Sequence, residues 1–250
     1  MTVRRSEAAA TLLPVSPSVP ERMRVAWREA RENNRRPEPG AKVRFDPGSW
    51  SGALVLMCAF TAVLWVVQLI NAGDGYGLNR FGMHPREVDG LWGIVTEPFL
   101  HDSYGHLGSN TLPVLLVGWA VMISGLRNWL TVTAIVILLG DAATWLAAPS
   151  GTIVGANALV FGWLGYLIAR AVVSRKLRWI ITAAIVLLIF GTLLGSLLPS
   201  YHSTHSWQAH LCGFGAGVLA GAVLHPRAPS KRRGRRGGPG TRATEGTPVS

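Results

Sequence analysis

Between Trp50 and Leu224 the chain is a series of long apolar runs separated by polar breaks. The runs fall at about Trp50 to Ile70, His106 to Ile123, Asn128 to Ala147, Thr152 to Val172, Leu177 to Leu198 and Trp207 to Leu224. Each is close to the roughly 20 residues a helix needs to cross the hydrocarbon of a bilayer. The pattern predicts an all-α polytopic membrane protein, a bundle of six transmembrane helices. One break is much longer than the rest. Asn71 to about Tyr104 carries Tyr76, Phe81, Trp92, Phe99 and Leu100 among Gly, Pro and acidic residues. A connection this long and this apolar is expected to be structured and to serve the function.

The ends differ from the middle. Residues 1–48 are rich in Pro, Arg and Glu, and 226–250 in Pro, Gly and Arg, so both read as tails around a membrane domain at 49–225. Within the first tail, Glu21 to Glu32 fits one short helix, either solvated or lying in the membrane interface with Trp27 and its arginines. Ala8 to Leu13 is too short for the core of a signal peptide.

Composition supports this division. The chain is 49% hydrophobic and 15% charged, against about 25% charged in soluble domains. The net charge of +11 lies mostly in the tails and one internal loop. In a membrane protein such charge sets orientation first. The N-terminal tail, Arg127, the loop Arg170 to Arg178 and the C-terminal tail all fall on one side of a six-span topology, while the opposite short turns lack Lys and Arg. Both termini are therefore expected in the cytoplasm, with the long loop outside the plasma membrane. The Arg-rich C-terminus suits anionic lipid better than nucleic acid. Cys58 and Cys212 lie inside apolar runs and read as inert buried thiols.

Polar residues inside the runs carry the functional signal. His106 and Asn110 enter the second run from outside and are four apart, so they share a helix face. Asn157 enters the fourth from outside, and His210 the sixth. At 1.5 Å per residue each falls about 5–10 Å below its helix start. On the sixth run Gly213, Gly217 and Gly221 form a strip, and the fourth carries Gly155, Gly162 and Gly165. Such strips let backbones approach and would place Asn157 and His210 on neighbouring helices. Asp141 stands alone in the third run, as a functional group or a helix-packing hydrogen bond. A hydrolytic site needs a nucleophile, a base and an oxyanion hole. His210 could serve as base, and His106 with the Asn110 amide as oxyanion donors. Asn157, however, holds the position of the nucleophile.

These residues resemble the rhomboid family of intramembrane serine proteases. His101-x4-His106-x3-Asn110, preceded by Trp92-Gly-Ile-Val-Thr96-Glu-Pro-Phe-Leu, looks like the family's second-helix signature. Gly155-Ala156-Asn157-Ala158 with Phe161-Gly162 resembles its Gly-x-Ser-Gly nucleophile motif, and Ala209-His210-x2-Gly213-x3-Gly217 its catalytic-histidine motif. The resemblance covers about Trp50 to Leu224 and implies a rhomboid-like six-helix bundle. It implies His210 as general base, His106 and Asn110 in the oxyanion hole, His101 as support and Gly155 opening the nucleophile motif. Asn157 departs from the serine, Ala158 from the following glycine, Phe161 from a tyrosine that packs on the histidine, and Gly93 from an arginine.

The leading expectation is a pseudoprotease that binds transmembrane segments of client membrane proteins in the bilayer, without a cofactor and without nucleic acid. Losing the nucleophile removes most covalent catalysis. A second expectation is an active endopeptidase using Ser103, Ser109, Ser203 or Ser206. A third is a metal-binding or transport-linked protein using His101, His106, His202, His205 and His210.

Overall fold

The structure is a computed structural model that describes residues 21, 23–25, 46–198 and 207–225. The chain divides into two compact units, Met1–Arg44 and Phe45–Ser250. In the first unit, residues 21 and 23–25 are helical. The remainder of the expected Glu21 to Glu32 helix lies outside the described residues, as do His202, Ser203, His205, Ser206 and the C-terminal tail.

The second unit is built from six long helices: α1 (Trp50–Gly73), α2 (Tyr104–Met122), α3 (Leu126–Ala147), α4 (Asn157–Ser174), α5 (Leu177–Leu197) and α6 (Trp207–Leu224). All of them except α2 are long and apolar enough to cross a membrane. The exception has a physical cause, since the first two turns of α2 carry His106, Ser109, Asn110 and Thr111. These are the turns that build the site. Pro113 lies inside the same helix and has no N–H to bond the preceding turn.

Local chemistry sets the helix ends. Ser49 caps α1 by accepting from the Gly52 N–H at 3.0 Å. Ser103 caps α2 by accepting from the His106 N–H at 3.1 Å. The α3 helix is interrupted at Val136–Asp141 by a wider π turn, and α5 tightens into a 3₁₀ turn at Gly191–Leu197. The fourth helix begins at Asn157, five residues later than the apolar run suggests. Met83 and Ile153 pair as an antiparallel bridge instead, and Gly155 has φ +121°, which stops helical geometry before Asn157.

The core is centred on α4, where Trp163, Tyr166, Leu159, Leu164 and Leu167 are fully buried. Phe60, Trp129 and Trp163 meet edge-on or tilted at centroid distances of 5.6–6.3 Å. The glycine strip of α6 lies against α4 with backbone in contact. A Cβ added at Gly213 would stand 2.2 Å from the Ala158 carbonyl, and one at Gly217 1.8 Å from the Gly162 carbonyl. Gly165 answers from α4, 2.3 Å from the Phe214 carbonyl by the same measure. At the end of α4 away from the site, buried Arg170 lies 3.6 Å over the Trp179 ring and donates to the Tyr166 hydroxyl. Both thiols are free. Cys58 is exposed on α1 and Cys212 half-buried, so neither is the fully buried thiol its apolar run implied.

The long loop is a chain of short turns, Gly77–Phe81, Val88–Trp92, Gly93–Thr96 and Glu97–Phe99. Asn71 at the end of α1 fastens both of its ends. Its amide donates to the Asn79 side chain at 2.9 Å and to the His101 carbonyl at 3.1 Å, and its Oδ1 accepts from the Leu78 N–H at 3.1 Å. Gly93 lies flat on the loop backbone, where a Cβ would come 2.1 Å from the Met83 Cα. No side chain fits there, which accounts for the glycine where the resemblance implies arginine.

Gly217→Ala should therefore lower the unfolding free energy in detergent micelles by about 2–3 kcal/mol, through forced separation of α4 and α6. Gly215→Ala on the same helix, where an added Cβ meets nothing within 4 Å, should change it by no more than about 0.5 kcal/mol.

Candidate functional site

The site lies where the heads of α2, α4 and α6 meet beneath the long loop. Its first member is fixed by sequence spacing alone. Asp102 and His106 are four apart, and the His106 Nδ1 lies 3.0 Å from the Asp102 Oδ1. A hydrogen on Nδ1 leaves Nε2 as an acceptor, and the Asn157 Nδ2 approaches it at 3.2 Å. Asp102, His106 and Asn157 thus form one line from the loop across α2 to α4. The Asn157 carbonyl oxygen makes no hydrogen bond among the described residues.

Gly155 makes this approach possible. A Cβ there would sit 2.7 Å from the His106 ring, at a φ that L side chains rarely adopt. Its N–H donates to the Glu97 carbonyl at 2.9 Å, tying the nucleophile-position loop to the long loop. His101 is fully buried and meets the His106 ring edge-on at 5.1 Å. Burial, with His106 beside it, lowers its pKa to about 4.

The α6 member is His210. Its ring stacks on Phe161 at 4.5 Å, and its Nδ1 meets the Ser196 carbonyl at 3.1 Å. The aromatic that packs on this histidine is thus present without a hydroxyl. His210 and Asn157 line two adjoining cavities together. One, of about 140 Å³, is also walled by Glu97, Asp102, His106 and Gly155. The other, of about 270 Å³, runs between α2 and α5 past Asn110, Phe161 and Ser196. Buried Asn110 holds its Nδ2 there without a partner, so one donor expected of an oxyanion hole remains uncommitted. The Gly162 and Gly213–Gly217–Gly221 positions do not touch the cavities; they bring α4 and α6 together.

Two hydroxyls weighed as substitute nucleophiles are already engaged. Ser103 caps α2 and donates to Asp102 at 3.1 Å, and Ser109 donates to the His106 carbonyl at 2.7 Å. Among the described residues no group of three or more His, Cys, Asp and Glu is placed to hold a metal ion.

Two site residues escaped the sequence reading. Asp102 was signalled by its i, i+4 spacing to His106. Glu97 was signalled by its place inside the apolar stretch Trp92 to Leu100. Glu97 is 1% exposed with its Oε1 unpartnered. It faces Asp141, the acid for which the sequence offered no partner. Asp141 is 1% exposed on the π turn of α3, and its Oδ1 also lacks a partner. Burial, and secondarily the Asp141 carboxyl, hold the Glu97 carboxyl well above the usual range.

The sequence pattern of the Rhomboid domain matches residues 88–227. An uncharacterised protein of Mycobacterium tuberculosis is 35% identical over 191 residues, covering 73% of this chain and 79% of the relative. One from Mycobacterium leprae is 34% identical over 191 residues, covering 73% and 75%. The rhomboid protease GluP of Bacillus subtilis is 31% identical over 136 residues, covering 53% of this chain and 26% of that protein. The chain belongs to the rhomboid family and is a multi-pass membrane protein.

His101 gives the site a pH signature. Its folded pKa of about 4 lies below the ordinary 6.5, so the unfolded chain binds more protons between these values. Stability should fall as pH drops from 6.5 towards 4, by up to about 3 kcal/mol for this group alone. Glu97 acts with the opposite sign, because its raised folded pKa removes stability as pH rises above 4.5. The difference between wild type and His101→Gln in thermal unfolding from pH 7 to pH 4 isolates the histidine. The variant should lose less stability across that window.

Proposed function

We propose that this rhomboid-family protein is a pseudoprotease that binds transmembrane segments of client membrane proteins. It would sit in the plasma membrane, with both termini in the cytoplasm and the site opening outward. The observation that carries the reading is Asn157. At the position of the family's serine it holds an amide, directed at the His106 Nε2 at 3.2 Å. An amide nitrogen is not activated by an imidazole as a hydroxyl is, so the first covalent step has no nucleophile there. The surroundings favour retained binding. Asn110 keeps an unpartnered donor, and the cavity between α2 and α5 opens beside Asn157 and His210. The orientation rests on the distribution of Lys and Arg among the loops.

A cleavage assay in proteoliposomes, on a reporter whose transmembrane segment is helix-destabilised, tests the reading. The native protein should be inert. Asn157→Ser should cleave, and adding His210→Ala to it should remove at least about 100-fold of that rate. Cleavage by the native protein would sink the proposal and point to another nucleophile. Client binding is tested apart from chemistry, by capture of single-span peptides on the reconstituted native chain.

A further inference from the structure

At the end of the bundle opposite the site, Arg170 is a buried cation with no anion beside it. It is 8% exposed and lies one turn before α4 ends at Ser174. Among the described residues no carboxylate pairs with it; the ion pair they contain is His106 with Asp102. A buried charge is costly unless it is paired. The partners of Arg170 are neutral. Its Nη1 donates to the Tyr166 hydroxyl, and its Cζ lies 3.6 Å from the centre of the Trp179 ring. That hydroxyl is already full, since the Asn128 Nδ2 donates to it at 2.7 Å and the His225 Nε2 meets it at 2.9 Å. The Trp179 ring and the C-terminus of α4 favour the positive charge, but neither takes up the in-plane N–H groups. The Arg170 Nε is buried without a partner. The Nη2 makes no hydrogen bond among the described residues and is not enclosed. Nε and Nη2 share one edge of the guanidinium, the edge that grips two oxygens of one anion side by side.

We propose that the Nε–Nη2 edge of Arg170 binds a phosphate group at the membrane boundary. The inference is independent of Asn157 and of client binding. Its neighbourhood is positive. Arg178 stands over the same Trp179 ring at 4.9 Å, and Arg175 and Lys176 are exposed in the turn between α4 and α5. Burial, then Arg170 and Lys176, lower the pKa of His225 just beyond α6, which keeps its ring neutral at pH 7 and able to accept from Tyr166. Asp46, at the same end of the bundle, holds its Oδ1 on the Gly48 N–H at 2.9 Å instead. Depth decides between anions. Four residues of helix place Arg170 about 6 Å inside the end of α4, within reach of the headgroup layer, where every phospholipid presents a phosphate. Two sources carry this chemistry, a phospholipid headgroup and a free phosphate anion. A lipid arrives already concentrated at that depth.

The test uses the full chain in lipid-free maltoside micelles, which hold no phosphate. NMR follows the Arg170 Nε–H, identified by its contact with the Trp179 ring, and the Trp179 indole N–H. Dioleoylphosphatidylglycerol should shift both signals saturably, and dioleoylglycerol, with the same chains and no phosphate, should not. Inorganic phosphate should compete only at concentrations about 100-fold higher. Saturation by inorganic phosphate without a response to the lipid keeps the phosphate site and gives it to a soluble anion. No saturable shift with either probe overturns the site. Sodium acetate binding more tightly than both gives the edge to a carboxylate and overturns the proposal as well. Arg170→Lys keeps the charge and loses the two-pronged edge, so lipid binding read at Trp179 should weaken about tenfold or more. Arg178→Gln, an exposed charge nearby, should weaken it by no more than about threefold. Equal losses in the two variants would mean diffuse surface attraction and overturn the site. The wild-type titrations decide the matter even where Arg170→Lys fails to fold.

Discussion

The contact between α4 and α6 without intervening side chains is the constraint on which the rest depends. At Gly213 and Gly217 the backbone of one helix lies on carbonyls of the other. Lipid supplies no hydrophobic drive for helices to associate, so dispersion between closely fitted surfaces must do it. The contact begins one residue past Asn157 and continues for two further turns. It therefore holds the heads of both helices at a fixed separation, whatever residue stands at position 157. Phe161 and His210, one turn below the heads, stack because the glycines beside them leave no other spacing.

Asn157 changes the meaning of this retained frame. Around a serine, a base must accept a proton and nearby donors must await negative charge. Here the amide approaches His106, and His106 turns its other nitrogen to Asp102. That contact engages the Asn157 side-chain amide and the His106 Nδ1, while the Asn157 and Ala158 N–H groups at the uncapped head of α4 have no partner within the helix. Asn110, on the side towards α5, also keeps its Nδ2 without a partner among the described residues.

The spans were legible in the sequence because uncharged runs of bilayer length have few alternatives. The three polar sets were legible because each lies near the same end of its run. The start of α4 was not. Thr152 to Ala156 is apolar enough to join the helix, and only the pairing of Ile153 with Met83 and the positive φ of Gly155 hold it out. The role of Gly155 needs three dimensions as well, since it depends on a His106 ring more than forty residues away. The acid pair was hidden for a similar reason. Glu97 and Asp141 meet because the loop folds back onto α3, and no periodicity reports such a long-range fold-back.

The π turn at Val136–Asp141 gives this acid pair an unusual origin. A π turn is an α-helix that has accepted one additional residue. Without that residue, the helix beyond it would be rotated by about 100°, and Asp141 would leave the face that meets Glu97. The buried acid pair is thus encoded by a length as much as by an amino acid. A single-codon deletion in this turn could abolish the pair with both carboxylates still in the sequence, a change that residue-by-residue comparison of relatives would score as a mere gap.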